Sequence, residues 1–420
     1  MTGLLDGVRV IEFSEIIAGP WGGMMLADLG ADVIKVEPLT GEPWRHQLPF
    51  APAESRWFIS ANRGKRDVAV DLRSAEGQRL VHRLVETADV AIVNYRPGTP
   101  ADLAIDYDTL SRINPRLVYV EATAFGRRGP NAHRPGYDLI VQATTGLLST
   151  DGKRSDAGVP APMSPPVADY GTGYTVAWAV CAGLFSRERT GRGVKIEASL
   201  LAVALGMLSY GFMELPDLAT PDAVERVRAT WRGGASKVDV ERHHVEELAK
   251  AAAVNAYYRC YETSDSLIAV AALSDPLRRK FLGVVGLEDP RIADPELATG
   301  RAGAEAGVVL VAMAEIRMRE RTTQEWLADF DAAGVPAGPV NTVFELIDDA
   351  QVQANELVLE QDHPAAGRVR AAGPVLRVLG QDPVAPRPAP LLGEHADEVL
   401  AELGYAPDEV EGLRSAGVIR

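Results

Sequence analysis

The first 125 residues repeat one rhythm, a short apolar run followed by a longer stretch with helical spacing, and this rhythm restricts the fold more than any single motif does. The runs VRVIEF (8–13), DVIKVE (32–37), VAVDL (68–72), DVAIVNY (89–95) and LVYVEATAF (117–125) read as buried strands. Between several of them lie amphipathic stretches such as AEGQRLVHRLVETA (75–88), where Leu80, Leu84 and Val85 share a face. Strand, helix, strand in this order implies right-handed crossovers and a largely parallel sheet, so the expected fold class is α/β. VKIEAS (194–199) reads as a further strand and LLAVALGMLSYGF (200–212) as a buried helix. A charged stretch broken by Gly-Gly (216–253) reads as a link into a second region. That region opens with the strand-like AYYRCYET (256–263) and LIAVAAL (267–273) and continues as helices to about residue 333. AGVPAGPVNTVFELIDD (333–349) and a Pro-rich passage (364–390) then lead to a helical tail. No internal repeat is visible.

With 420 residues the chain is expected to form two or three domains, or one large domain with a subdomain. Its net charge of -15 and pI near 5.0 argue against a nucleic-acid partner, because phosphate neutralisation needs a basic face. A local basic patch for a small anion remains compatible with that total. The two cysteines, Cys181 and Cys260, lack C-x-x-C spacing, so neither a disulfide framework nor a zinc site is expected, and no metal site is assigned. A reducing cytoplasm is the expected location. The opening MTGLLDGVRVIEF has no basic segment leading an apolar stretch, and no apolar run approaches about 18 residues, so no membrane partner is expected.

Several stretches carry candidate chemistry. AGPWGGMMLADLGADVIKVE (18–37) has the outline of a nucleotide-binding βαβ, but its turn is G-P-W-G-G rather than G-x-G-x-x-G; a tight structural turn is the competing reading. Arg63, Lys65, Arg66 and Arg73 cluster around a strand and suit either an anion site or a solvated loop. Arg96 follows a strand end, where α/β sheets bind ligands. The adjacent His243 and His244 point in different directions on a helix and do not form a ligand pair. Asp169, in PPVADYGTGYTVAWAVCAGL (165–184), stands at the entrance of a nearly uncharged helix. It reads either as an N-cap or as a nucleophile toward an activated acyl group, with Gly171 and Gly173 permitting close approach of a ligand.

Taken together, AGPWGGMMLADLGADVIKVEPLTGEPWR, NRGKRDVAVDLRSAEG, ADVAIVNYRPG, INPRLVYVEATAFGRRGPNAHRPGYDLIVQATTGLLSTDG, PPVADYGTGYTVAWAVCAGLFSRERTGRGVKIEASLL and LLGEHADEVLAELGY resemble, in order, the family III CoA-transferases, also called the CaiB/BaiF family. The resemblance covers most of residues 5–210 and 335–420. It implies a large Rossmann-like domain with a parallel sheet built from both chain ends (1–215 and 334–420), a linker (216–253) and a smaller α/β domain (254–333), with two chains interlocked as a homodimer. It also implies movement of CoA from an acyl-CoA to a small carboxylic acid, with coenzyme A or acyl-CoA as substrate and no tightly bound cofactor. Asp169 would attack the thioester, giving an anhydride and then an aspartyl-CoA thioester. Ile17 and Ala18 would flank the pantetheine or adenine path, Leu72 and Arg73 would hold the nucleotide, Asn94, Tyr95 and Arg96 would line the same cleft, and Tyr137 would lie near the thioester. A basic residue common in the family after its RPG motif is here Asp102, leaving Lys65, Arg66 or Arg134 to compensate. The related α-methylacyl-CoA racemases supply an alternative using Asp169 and Glu262, although Tyr137 stands where those enzymes have histidine. Trp44, Trp57, Phe58 and Tyr137 are candidates for an acyl pocket, and Arg45 and Arg56 would suit a dicarboxylate.

Overall fold

The computed structural model describes residues 3–218, 222–294, 297, 300–379 and 387–420. The chain divides into a larger unit, Met1–Glu214 with Ala350–Arg420, and a smaller one, Leu215–Asp349.

Six parallel strands form the centre of the larger unit: β1 (Arg9–Phe13), β2 (Asp32–Glu37), β3 (Arg66–Ala69), β4 (Val90–Val93), β5 (Val118–Thr123) and β6 (Val194–Ser199). Their order across the sheet is β3-β2-β1-β4-β5-β6. Apolar side chains on both faces explain the near-continuous burial of the strands, since helices cover a parallel sheet above and below. On one face Ile11, Phe13, Ile34, Val36, Ala91 and Val93 meet a helix, α2 (Ala75–Glu86), together with the tail helices Ala396–Glu402 and Pro407–Ser415. Opposite, Val10, Val33, Val90, Ile92, Val118 and Val120 meet α1 (Ala18–Asp28) and the long helix Val167–Thr190. Between these helices in the chain lies α3 (Asp138–Thr145); the long helix is α4, and α5 is Leu200–Leu208.

Strand order reverses between β1 and β4, where the connections leave in opposite directions. At such a switch point a crevice opens beyond the carboxyl ends of the strands. The residues that follow β1 (Ser14–Ala18) and β4 (Asn94–Arg96) lie at this end.

The glycines of the first turn provide clearance for packing. A Cβ on Gly19 would lie 2.3 Å from Ser14 Cβ, one on Gly22 would lie 2.7 Å from Val176 Cγ1 of α4, and one on Gly23 would lie 1.8 Å from Glu12 Oε2. The run G-P-W-G-G therefore lets α1 settle on the sheet and on α4, as the structural-turn reading expects. Gly171 and Gly173 lie inside α4, not in a turn. The first faces Met207 and Val203 and the second faces Trp21, so both admit neighbouring helices rather than a ligand.

The smaller unit contains α6 (Asp222–Arg232), α7 (Lys237–Ala253), strands β7 (Tyr258–Glu262) and β8 (Leu267–Ala271), helices α8 (Asp275–Val285), α9 (Gly300–Met318) and α10 (Thr323–Ala333), and strand β9 (Ala337–Pro339). The expected linker 216–253 thus holds two helices. Gly234, at φ +80°, ends the first, and Arg226 of α6 pairs with Glu247 of α7 at 2.5 Å. The expected return at 334 comes later, at Ala350, because Ala337–Pro339 pairs antiparallel with β8 and keeps the chain in the smaller sheet. Within the Pro-rich passage, residues 380–386 lie outside the described residues, and Val358–His363 forms a hairpin with Gly367–Ala372.

The expected buried helix 200–212 forms α5 followed by a 3-10 turn, yet only Leu200 and Ala204 are buried. Met207, Tyr210 and Phe212 are exposed, as are Tyr174, Trp178 and Phe185 of α4. Residues 174, 178 and 185 follow helical spacing and form an apolar face that the described residues leave exposed.

Candidate active site

Asp169 lies in the first turn of α4, 9% exposed. It does not cap that helix. The cap comes from Asp138 on α3, whose Oδ1 accepts the N–H groups of Ala168 (2.8 Å) and Asp169 (3.2 Å) while Oδ2 accepts from Gln142 Nε2. An acid from another helix thus satisfies the orphan donors that an N-cap side chain would serve. The Asp169 carboxylate has no hydrogen-bond or ion-pair partner among the described residues. Instead it lines a cavity of about 70 Å³ with Ile16, Ile17, Ala18, Asn94, Ala124 and Tyr137. Burial, followed by the nearby charge of Asp138, pushes its pKa up to about 7.

A larger cavity of about 650 Å³ lies beyond the ends of β1 to β4, and Leu72, Arg73, Tyr95 and Arg96 line it. Glu15 lines both cavities, so they are neighbours. The guanidinium groups of Arg73 and Arg96 are exposed and have no hydrogen bond or ion pair among the described residues. The positive charge of Arg96 does reach Glu15, whose pKa burial raises and Lys35 and then Arg96 lower. The larger cavity therefore offers two free cations to an anionic ligand.

The nine residues that the family resemblance implied as nucleophile and CoA contacts fall into these two neighbouring groups: Ile17, Ala18, Asn94, Tyr137 and Asp169 around the small cavity, and Leu72, Arg73, Tyr95 and Arg96 around the large one. Asn94 is committed to the backbone. Its Oδ1 accepts Glu15 N–H (2.9 Å) and its Nδ2 donates to Glu15 O (2.8 Å). Tyr137 is half exposed at the start of α3. Gly136, just before it, is fixed as glycine by Ala124 Cβ, 2.6 Å from where its own Cβ would lie.

The remaining basic residues are engaged elsewhere. Lys65 is fully buried against Glu12, Asn62 Oδ1 and Pro20 O, so it does not compensate for Asp102. Arg66 binds Asp32, Glu398 and Glu402 at the amino end of the sheet. Arg134 is exposed and bonds Asn131, and it lines neither cavity. Arg45 is buried at 0% exposure between Glu37 and Glu54, over the ring of Phe58, so its charge is not available to a dicarboxylate. Phe58 is core, and the edge-to-face pair Trp44 and Trp57 lines neither cavity. Glu262, on β7 of the smaller unit, pairs with Arg319 at 2.9 Å. Among the described residues no group of three His, Cys, Asp or Glu side chains is placed to hold a metal ion.

Asp138, Glu15 and Glu42 were not singled out from the sequence. Asp138 had a local signal, a short acid at a helix start, but nothing in the spacing links it to residues 168 and 169, thirty positions away.

These features define a doubly wound α/β protein whose switch-point crevice joins a cationic anion-binding cleft to an unpaired buried carboxylate. A family model described as CoA-transferase family III matches residues 5–396, and the chain belongs to that family. It is a transferase of the family III type. The chain is 32% identical over 420 residues to a Mus musculus protein named succinyl-CoA:glutarate CoA-transferase, covering 99% of this chain and 90% of the mouse protein. It is 30% identical to the formyl-CoA:oxalate CoA-transferase of Streptomyces coelicolor, covering 99% of each. A crystal structure of a CaiB/BaiF family protein from Brucella suis superposes with a TM-score of 0.73 at 30% identity, covering 96% of this chain and all of that one. Among the described residues no helix is long and apolar enough to cross a membrane.

The raised pKa of Asp169 has a stability consequence. An unfolded chain loses this proton near pH 3.8 and the folded chain near 7, so the folded state loses stability between those values and carries the full cost above about 7. The shift corresponds to at most about 4 kcal/mol. Asp169→Asn should therefore melt at a higher temperature than the wild type, by a margin larger near pH 8 than near pH 5. Thermal scans showing equal margins would contradict the burial argument.

Proposed function

We propose that this protein moves CoA between carboxylic acids, with Asp169 as the covalent nucleophile. The observation that carries the reading is a buried carboxylate without a partner, facing a small cavity beside a large cationic one. An ionised carboxylate needs no metal to attack a thioester, because the acyl group is already activated. Asp169 adds to the thioester carbonyl, and collapse of the adduct expels CoA thiolate and leaves a mixed anhydride. The thiolate then attacks the Asp169 carbonyl, forming an aspartyl-CoA thioester and releasing the first carboxylate. The acceptor carboxylate repeats both steps in reverse, takes the CoA and regenerates Asp169. Net charge and protons balance without water.

Among the described residues the N–H groups of Ala18 and Gly19, in the first turn of α1, have no acceptor, and Ala18 lines the reactive cavity. They would donate to the oxyanion. Arg73 and Arg96 would hold the nucleotide phosphates, Leu72 and Tyr95 the adenine or ribose side, and Ile17, Ala18 and Tyr137 the pantetheine end. Asn94 would act by fixing the Glu15 backbone. The mouse relative's name makes succinyl-CoA and glutarate the first donor and acceptor to try. The site suits the transferase better than the racemase reading, because Glu262, the second acid of that reading, is already paired with Arg319.

The uncovered apolar face of α4 and α5 fits a second copy of the chain, in keeping with the interlocked homodimer of the family. Light scattering should give twice the chain mass; a monomer would refute the assembly.

Asp169→Ala should lower kcat for succinyl-CoA and glutarate by about a thousandfold or more, as removal of a covalent nucleophile does. Its affinity for the CoA thioester should stay within about threefold, since the cationic cleft is untouched. Wild-type kcat/KM should fall as the pH drops through about 7, where Asp169 takes up its proton. Turnover retained by the alanine variant would sink the mechanism.

A further inference from the structure

The turn that carries the reactive cavity has an unusual backbone. Ile16 adopts φ +71°, a left-handed conformation that is a genuine outlier for a β-branched residue. Such a conformation persists only where its surroundings over-determine it. Ile16 lines the Asp169 cavity, and the next residue, Ile17, is the N-cap position of α1, so the angle at residue 16 sets where Ile17 and Ala18 face Asp169.

Three side chains from three different segments hold this turn. Lys35 Nζ donates to Ser14 O at 2.7 Å, Asn94 pairs twice with the Glu15 backbone, and Glu42 Oε2 accepts the Ile16 N–H at 2.5 Å. Among the described residues, only the Glu42 bond acts on the strained residue itself. Glu42 is 2% exposed and lines neither cavity. Its other oxygen lies 3.1 Å from Lys35 Nζ, and its own N–H donates to Glu37 Oε2 at 2.7 Å, so the carboxyl group is fixed from both ends. Burial, against the pull of Lys35, pushes the Glu42 pKa up, and Oε2 can accept the Ile16 N–H in either protonation state.

We propose that Glu42 is a positioning residue for the transfer reaction: its buried carboxyl group holds Ile16 in the left-handed conformation and thereby aims the start of α1 at Asp169. This rests on the CoA-transferase reading only for its catalytic consequence. The backbone claim stands on the turn alone.

Glycine adopts positive φ without strain, which supplies the test. Crystal structures of Glu42→Ala and of Glu42→Ala with Ile16→Gly would be determined, and kcat and KM measured with succinyl-CoA and glutarate. In Glu42→Ala, Ile16 should relax to negative φ. Its kcat should fall at least about tenfold, the scale on which small misplacements act, while KM for succinyl-CoA changes less than about twofold. Glu42→Gln, which keeps an acceptor oxygen and loses the charge, should fall between this variant and wild type. Adding Ile16→Gly should restore positive φ and most of kcat in either background. A merely structural role predicts that Ile16→Gly recovers nothing, and that result overturns the proposal, as does positive φ retained at Ile16 without Glu42. If Glu42→Ala does not fold, recovery of Glu42→Gln by Ile16→Gly decides the question. A wild type with no transfer activity would defeat the CoA-transferase reading, while the two backbone structures would still decide the role of Glu42.

Discussion

A carboxylate taken out of water normally requires a cation or several donors beside it, and Asp169 has neither among the described residues. The rest of the reactive end depends on that exception. Asp138 takes the capping duty of α4, which frees the Asp169 side chain, and its charge adds to burial in raising the Asp169 pKa. The same two acids on two helices therefore set both the direction and the proton affinity of one oxygen pair. A poorly solvated carboxylate is a better nucleophile than a hydrated one, and the cost appears as stability lost as the pH rises from 3.8 to about 7.

Directly beneath the turn the opposite arrangement holds. Glu12 sits between Lys35 and Lys65, and Arg45 sits among Glu37, Glu54 and Asp67, with every one of these side chains nearly inaccessible. Five carboxyl groups, counting Glu42, surround three cations, so protons complete the balance. Burial, with Glu37 as a like-charged neighbour, pushes Asp67 well up, and burial drives Glu54 up to about 7. Buried ion pairs contribute little net stability but penalise rearrangement heavily, because moving one partner leaves a charge unpaired. This network fixes the ends of β1 and β2 beneath the turn that follows β1. The glycines at 19, 22 and 23 let α1 lie close enough to cover it.

The parallel sheet was legible because its strands are nearly uninterrupted apolar runs, and all six lie where the sequence suggested, with β3 beginning two residues earlier than its apolar run. Charge was harder to read. Arg63, Lys65, Arg66 and Arg73 are close in sequence, yet only Arg73 reaches the open cleft, since alternation along a strand and the positions of distant acids such as Asp28, Glu12 and Glu402 decide which cation is neutralised. Asp102 stands where a basic residue was expected, and the cations that line the larger cavity are Arg73 and Arg96, with none from 63 to 66. The helices within 216–253 and the late return at 350 were obscured by composition, because exposed helices and linkers share the same charged residues. The apolar residues of α5 misled in the other direction: they read as core, yet only Leu200 and Ala204 are buried, and Met207 stays exposed although it lies against Gly171 of α4.

Covalent chemistry at Asp169 is the centre of this account, and it is tested most directly by brief incubation with succinyl-CoA, hydroxylamine trapping and peptide mapping by mass spectrometry. A hydroxamate on the peptide that contains Asp169, absent from Asp169→Asn, is the predicted result. An unmodified Asp169 peptide in protein that is turning over CoA between acids would contradict the account.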